Sequence, residues 1–189
     1  FTYSKQDQFG VVHHLDVHWQ LSNRQIFAQS LTFDELSRDS IPVPGLGLNA
    51  QMPSRLHVLL HACMHRVAHI HAPCAVEDQR FHEWNWLIWL FDIHLLAQTL
   101  TPVDWQEFEV MAKRKRLGMI CADGLKETQQ RFGTVLPAGM LQRLSKEAGK
   151  EPSAQYLHPS PWRAQLVEFS ALSSWKQRWI LFRDILAPS

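Results

Sequence analysis

Cysteine is scarce and poorly spaced for structural use in this chain of 189 residues. Cys63, Cys74 and Cys121 are an odd number with no CxxC pair. That argues against a disulfide framework and a zinc knuckle, and makes a reducing cytoplasmic setting the default expectation. An excess of charge is also missing, since 19 Lys and Arg face 18 Asp and Glu for a formal net charge of +1. No large uniform field steers the chain toward nucleic acid or anionic lipid, so no nucleic-acid partner is expected. The most apolar stretch, around Leu87 to Phe91, falls far short of the roughly 20 residues that span a bilayer. Neither a membrane span nor a signal peptide is expected. A P-loop, a GxSxG elbow and a Rossmann fingerprint are absent as well, which removes the common hydrolase and dinucleotide readings.

The composition itself, 46% apolar and 20% charged with 8 Gly and 10 Pro, is that of a folding globular chain. Its length suits one substantial domain or a small domain with an appendage. The chain opens with Phe1 rather than Met, and residues 1 to 9 are polar and aromatic, so a natural start upstream is expected. Val11 to Trp19 alternates with period two and reads as a strand, with Phe1 to Lys5 as its partner across a turn at Asp7 to Gly10. Residues 24 to 39 read as one or two short helices, with Thr32 and Glu35 at capping-box spacing. Ile41 to Leu48, with two Pro and two Gly, is the best boundary.

From Pro53 every periodic signal is helical. Pro53 suits a first helical position, and Leu56, Leu59, Leu60, Cys63, Val67 and Ile70 form an apolar stripe. A second helix, from about Arg80 to Leu100, is apolar nearly all round, as a central buried helix would be. A third opens at Pro102 and Asp104 and runs to the basic cluster Lys113 to Arg116, a fourth covers Leu117 to Phe132, and a fifth runs from Pro137 to near Gly149. Trp162, Leu166, Phe169, Leu172, Trp175, Trp179 and Phe182 then recur at helical spacing. Flanked by Arg163, Lys176, Arg178 and Arg183, that stripe reads as core or oligomer contact, with an interfacial membrane helix as the alternative.

Eight Trp and eleven His stand out. His57, His61, His65 and His69 are four apart on the first long helix, a spacing at which two imidazoles can share a metal ion. The glutamate of a zinc-protease helix is missing, because Ala62 follows His61 and Val58 follows His57. The histidines are therefore read as lining a groove and bonding neighbouring helices, with a metal site as the alternative. Asp92 lies in the most apolar helix, where an unpaired carboxylate would be costly, so a partner among His61, His65 and Arg66 is expected. Asp16 and His18 share one face of the first strand. A lone carboxylate cannot hold Mg²⁺ without help from other acids or from phosphates.

The order of HLDVHWQL (His14 to Leu21), LTFDELSRDS, PVPGLGL, LHVLLHACMHRVAH, WNWLIWLFDIHLLA and VDWQEFEVMAKRKRLG resembles the later part of an uncharacterised bacterial nucleotidyltransferase-like family with a minimal nucleotidyltransferase fold. The resemblance covers about residues 11 to 137, and the His helix followed by the Trp-rich helix carrying Asp is its most specific part. In that fold a Gly-Ser turn holds the nucleotide phosphates, an Asp-x-Asp strand binds metal, and a later strand supplies a third acid. By position Asp16 looks like that third acid, with His18 beside it. No Gly precedes a Ser and no two Asp are spaced two apart, so the other elements are expected upstream of Phe1, and the chain alone is expected to be inactive.

The resemblance implies transfer of a nucleoside monophosphate from an NTP to an unknown acceptor with Mg²⁺. The expected fold is α+β and mostly α-helical: residues 1–50 end a nucleotidyltransferase-like mixed sheet, 51–150 form a helical domain, and 151–189 form an amphipathic helical segment. His57, His61, His65 and Asp92 are the candidate acceptor groove or structural polar pair. A non-catalytic interaction module is the alternative, with a homo-oligomer through the Trp-rich helices among its expected partners. A metal-binding helical protein using the His stripe is another.

Overall fold

Period-two alternation at the front of the chain produces the expected hairpin in the computed structural model, which describes residues 2–17, 21, 25–28, 30–70, 74–76, 79–81, 87–157, 172, 174, 175, 178 and 179. Strand β1 (Thr2–Gln6) pairs antiparallel with β2 (Val12–Asp16), setting Tyr3 opposite Leu15 and Lys5 opposite His13. Asp7 builds the turn: one carboxylate oxygen accepts the backbone N–H groups of Phe9 and Val11, and the other meets His13 Nε2 at 2.9 Å. The His13 bond holds the Asp7 carboxyl below its ordinary range. Tyr3, Val12 and Leu15 are all exposed.

Two further pairs, β3 (Ile41–Pro42) with β4 (Gln51–Met52) and β5 (Cys74–Val76) with β6 (Gln79–Phe81), are also antiparallel. Among the described residues β1 and β2 pair only with each other and no mixed sheet forms. The architecture is α+β and mostly helical.

Helix α1 (Gln25–Ala28) precedes α2 (Phe33–Arg38), whose cap Thr32 accepts the Glu35 N–H at 3.3 Å. Helix α3 (Arg55–His69) starts two residues later than Pro53 suggested. Ser54 takes the N-cap by accepting the His57 N–H, which leaves Pro53 outside the helix. The helix expected from Arg80 is described only as α4 (Leu87–Gln98), because Gln79–Phe81 pair with Cys74–Val76 as a local hairpin instead. Thr101 and Asp104 form a complete capping box at the start of α5 (Pro102–Arg114). Helix α6 (Gly118–Phe132) follows, then α7 (Met140–Ser145) and 3₁₀ turns at Ala148–Lys150 and Pro152–Leu157. A Cβ at Gly118 would sit 2.6 Å from the Leu144 carbonyl oxygen, so glycine lets α7 close on the first turn of α6. The expected C-terminal helix lies largely outside the described residues; Trp175, Arg178 and Trp179 are helical.

The core gathers around α3. Leu59, Leu60, Cys63 and Val67 meet Ile93 of α4, Phe108 of α5 and Ile120 and Leu125 of α6. Phe27 and Tyr156, with ring centroids 5.4 Å apart, join this core from either end of the described chain. Burial, then the neighbouring Cys63, push the Cys121 thiol up, so Cys121 behaves as a small apolar side chain.

Two polar ties cross the helices. Arg66 of α3, 1% exposed, places Nη1 2.6 Å from Asp123 Oδ2 of α6. Glu35 of α2 takes a hydrogen bond from Lys115 at the end of α5, and lies 3.8 Å from Arg114 Nη2 and 3.6 Å from His57 Nε2. Burial alone would raise the Glu35 carboxyl, but Lys115 and then His57 together hold it below its ordinary range. Arg66 therefore pairs with Asp123 and not with Asp92.

Breaking the first tie removes the carboxylate that faces the buried Arg66 guanidinium. Asp123→Asn is expected to cost about 3 kcal/mol, the low end for such pairs because the carboxylate is a third exposed. Asp92→Asn is expected to change stability by no more than about 0.5 kcal/mol. Urea denaturation of both variants checks the contrast, and equal losses would contradict it.

Candidate functional site

Residues four apart on an α-helix advance about 40° beyond a full turn, so a row of histidines at that spacing winds around its helix. His57 falls on the core side of α3, 1% exposed, with Nδ1 2.9 Å from Ser54 Oγ. The Glu35 carboxylate favours a proton on Nε2, so Nδ1 accepts from the Ser54 hydroxyl. Nε2 itself makes no hydrogen bond among the described residues. His57 thus leaves the candidate groove.

His61, His65 and His69 wind outward. Their ring centroids step by 6.0 Å and 4.6 Å, and Trp89 of α4 stands edge-on to His65 at 5.5 Å. Between α3 and α4 lies a groove of about 530 Å³, lined by Val58, His61, Ala62 and His65 on one side and Trp89, Asp92, Leu95, Leu96 and Thr99 on the other. Asp92 is exposed there and makes no ion pair or hydrogen bond among the described residues. The expected Asp92 pairing with His61, His65 or Arg66 is therefore corrected. Helix α4 packs against α3 and α6 and leaves its third side open, with Leu87, Ile88, Phe91 and Leu95 between 45% and 60% exposed. A carboxylate on that side stays hydrated and needs no partner.

Burial, then the charges of His69 and His61, push His65 down from 6.5 to about 4. Burial also lowers His61, against a hydrogen bond with the Leu21 backbone that works the other way. Both rings are neutral at neutral pH. Among the described residues Asp92 is then the sole formal charge lining the groove.

A larger cavity of about 930 Å³ lies among α4, α5, the end of α6 and α7. Its polar groups include His94, Glu109 and Arg143, none of which the sequence singled out. Each is committed to partners within the fold. Glu109 accepts from Lys113 and Arg143, each at 2.8 Å. His94 Nδ1 lies 2.8 Å from Thr134 Oγ1, whose hydroxyl donates to the Thr128 carbonyl, so Nδ1 carries the proton; Nε2 accepts from Gln98. His94 could have been suspected from its place in WNWLIWLFDIHLLA, but no spacing ties it to Thr134 or Gln98.

Asp16 ends β2 opposite Thr2; its side chain, and the whole of His18, lie outside the described residues. Among the described residues no three His, Cys, Asp or Glu side chains converge on a site for an ion. The described part of the His stripe joins no such three-residue cluster.

Over residues 1–133 the chain matches the family described as uncharacterised nucleotidyltransferase. The chain belongs to this nucleotidyltransferase family. No curated protein and no solved structure matches it. The family span contains β2 and every described residue lining the α3/α4 groove, whereas the larger cavity takes Val135, Leu136, Pro137 and Arg143 from beyond it. No helix among the described residues of this nucleotidyltransferase-family chain is long and apolar enough to cross a membrane.

The lowered His65 gives a pH signature. The unfolded chain binds the proton near 6.5 and the folded chain only near 4, so the stability tied to this ring is complete above 6.5 and is lost as pH falls toward 4. Thermal midpoints recorded from about pH 6.5 down to about pH 5, where most carboxylates remain charged, are expected to fall, and less steeply in His65→Asn. Identical slopes would show that His65 titrates normally.

Proposed function

We propose that this chain belongs to an enzyme that transfers a nucleoside monophosphate from a nucleoside triphosphate to an acceptor held in the α3/α4 groove. The family match over residues 1–133 carries the proposal. In it, Asp16 is one acid of the cluster that holds a divalent cation and His18 acts beside it. The Gly-Ser and Asp-x-Asp elements of the fold are not within these 189 residues, so the chain works with residues it does not itself carry. Mg²⁺, when bound, stabilises the charge on the transferred phosphoryl group.

Connectivity supports the pairing of Asp16 with the groove. Leu21, whose backbone bonds to His61 at the groove, follows Asp16 by five residues. Five residues reach at most about 18 Å, which is the bound this connection sets on the distance from Asp16 to the groove edge. Unlike the larger cavity, whose charged groups are satisfied internally, the groove offers a carboxylate with no internal partner. His61, His65 and Asp92 are the acceptor-facing residues in this proposal.

A second reading rests on the exposed apolar row Leu87, Ile88, Phe91 and Leu95 of α4. It makes the chain an interaction module. An assembly seen by light scattering and dissolved by Ile88→Glu would favour it.

Full-length protein incubated with Mg²⁺, an α-labelled nucleoside triphosphate and a cell extract is expected to place label on an acceptor. Asp16→Asn is expected to lower that transfer at least about a hundredfold. Ala62→Phe, which narrows the groove, is expected to lower transfer without weakening nucleotide binding. Absence of label, or full activity of Asp16→Asn, would overturn the proposal.

A further inference from the structure

The groove between α3 and α4 combines an apolar lining with one unpaired charge. Val58 and Ala62 face Leu95 and Leu96 across a volume of about 530 Å³, within the usual range for small-molecule sites. Trp89 stands edge-on to His65, with ring planes at 86°, and adds an aromatic wall. Asp92 presents its carboxylate to this space with no described partner. We propose that the groove takes a small acceptor with an aromatic or aliphatic body and a protonated amine, the amine meeting Asp92 and the body lying against Trp89, Ala62 and Leu96.

This assignment rests on the reading of the groove as the acceptor site and adds the chemical class of the acceptor. Charge complementarity decides the class. His61 and His65 are neutral at neutral pH and contribute no positive charge. The cation at the Thr99 end, Arg55, donates to the Thr99 carbonyl at 3.4 Å and already faces Asp104. Among the described residues a phosphate or carboxylate entering the groove would find no cationic partner, and Asp92 would repel it. An ammonium group gains a charge-assisted hydrogen bond to Asp92. The Trp89 ring adds attraction for a cation placed over its face. The nucleoside triphosphate, an anion, is thereby directed elsewhere.

Three probes of one shape and different charge test the class: tryptamine, the neutral tryptophol, and indole-3-propionate, each titrated calorimetrically into the full chain at neutral pH. Tryptamine is expected to bind at least about tenfold more tightly than indole-3-propionate, with tryptophol between them. Asp92→Asn, at a position the fold does not use, is expected to bring the three within about threefold. Ala62→Phe is expected to weaken all of them. Equal or tighter binding of the propionate, an Asp92→Asn variant that keeps the preference, or no binding of any probe up to about 10 mM would each overturn the assignment. These titrations contain no nucleotide. Loss of label transfer with the amine preference intact overturns the transferase proposal alone, and the reverse outcome overturns only the ligand class.

Discussion

A guanidinium sealed inside a helical core must be neutralised where it lies, and the Arg66–Asp123 contact does this for α3. The contact fixes more than one distance. With Arg66 turned to α6, and Cys63 and Val67 sealed in the same core, the rotation of α3 about its axis is set. His61, His65 and His69 are then carried to the side facing Trp89. Because the neutralising acid comes from α6, the acid on α4 remains available.

The same accounting of polar groups separates the cavities. Glu35 is surrounded by Lys115, Arg114 and His57, and Glu109 by Lys113 and Arg143; these clusters tie α2 to α3 and α5, and α5 to α7. Their charges are spent on the fold. Asp92 stands apart, exposed on a largely apolar helix and lining a groove whose described residues all fall within the family match. Size alone would favour the larger cavity. Chemistry favours the smaller one.

Local signals in the sequence carried over well to the structure. The hairpin turn on Asp7, the Thr32 cap, the helix start at Pro102 and Asp104 and the helix ending at Phe132 each depend on a few neighbouring residues. Non-local facts were harder to read. The uniform apolarity of α4 suggested burial all round, but burial depends on how many neighbours a helix has, and α4 has one side open. The four-residue spacing of the histidines suggested a single stripe, yet the 40° drift per step sends His57 to the core and His65 outward. The partner of Arg66 sits 57 residues further on, and nothing in the local pattern distinguished Asp123 from Asp92. Helical backbone pairing likewise lost to a three-residue strand at Gln79–Phe81, where the partner segment Cys74–Val76 lies close at hand.

Recognition by the α3/α4 groove is open to direct observation through the histidine rings, which line both cavities and the core. Histidine-selective NMR of the full chain during addition of tryptamine is expected to move the ring signals of His61 and His65 while leaving those of His57 and His94 in place. Movement of His94 with His61 and His65 unchanged would locate binding in the larger cavity and contradict the assignment of the groove.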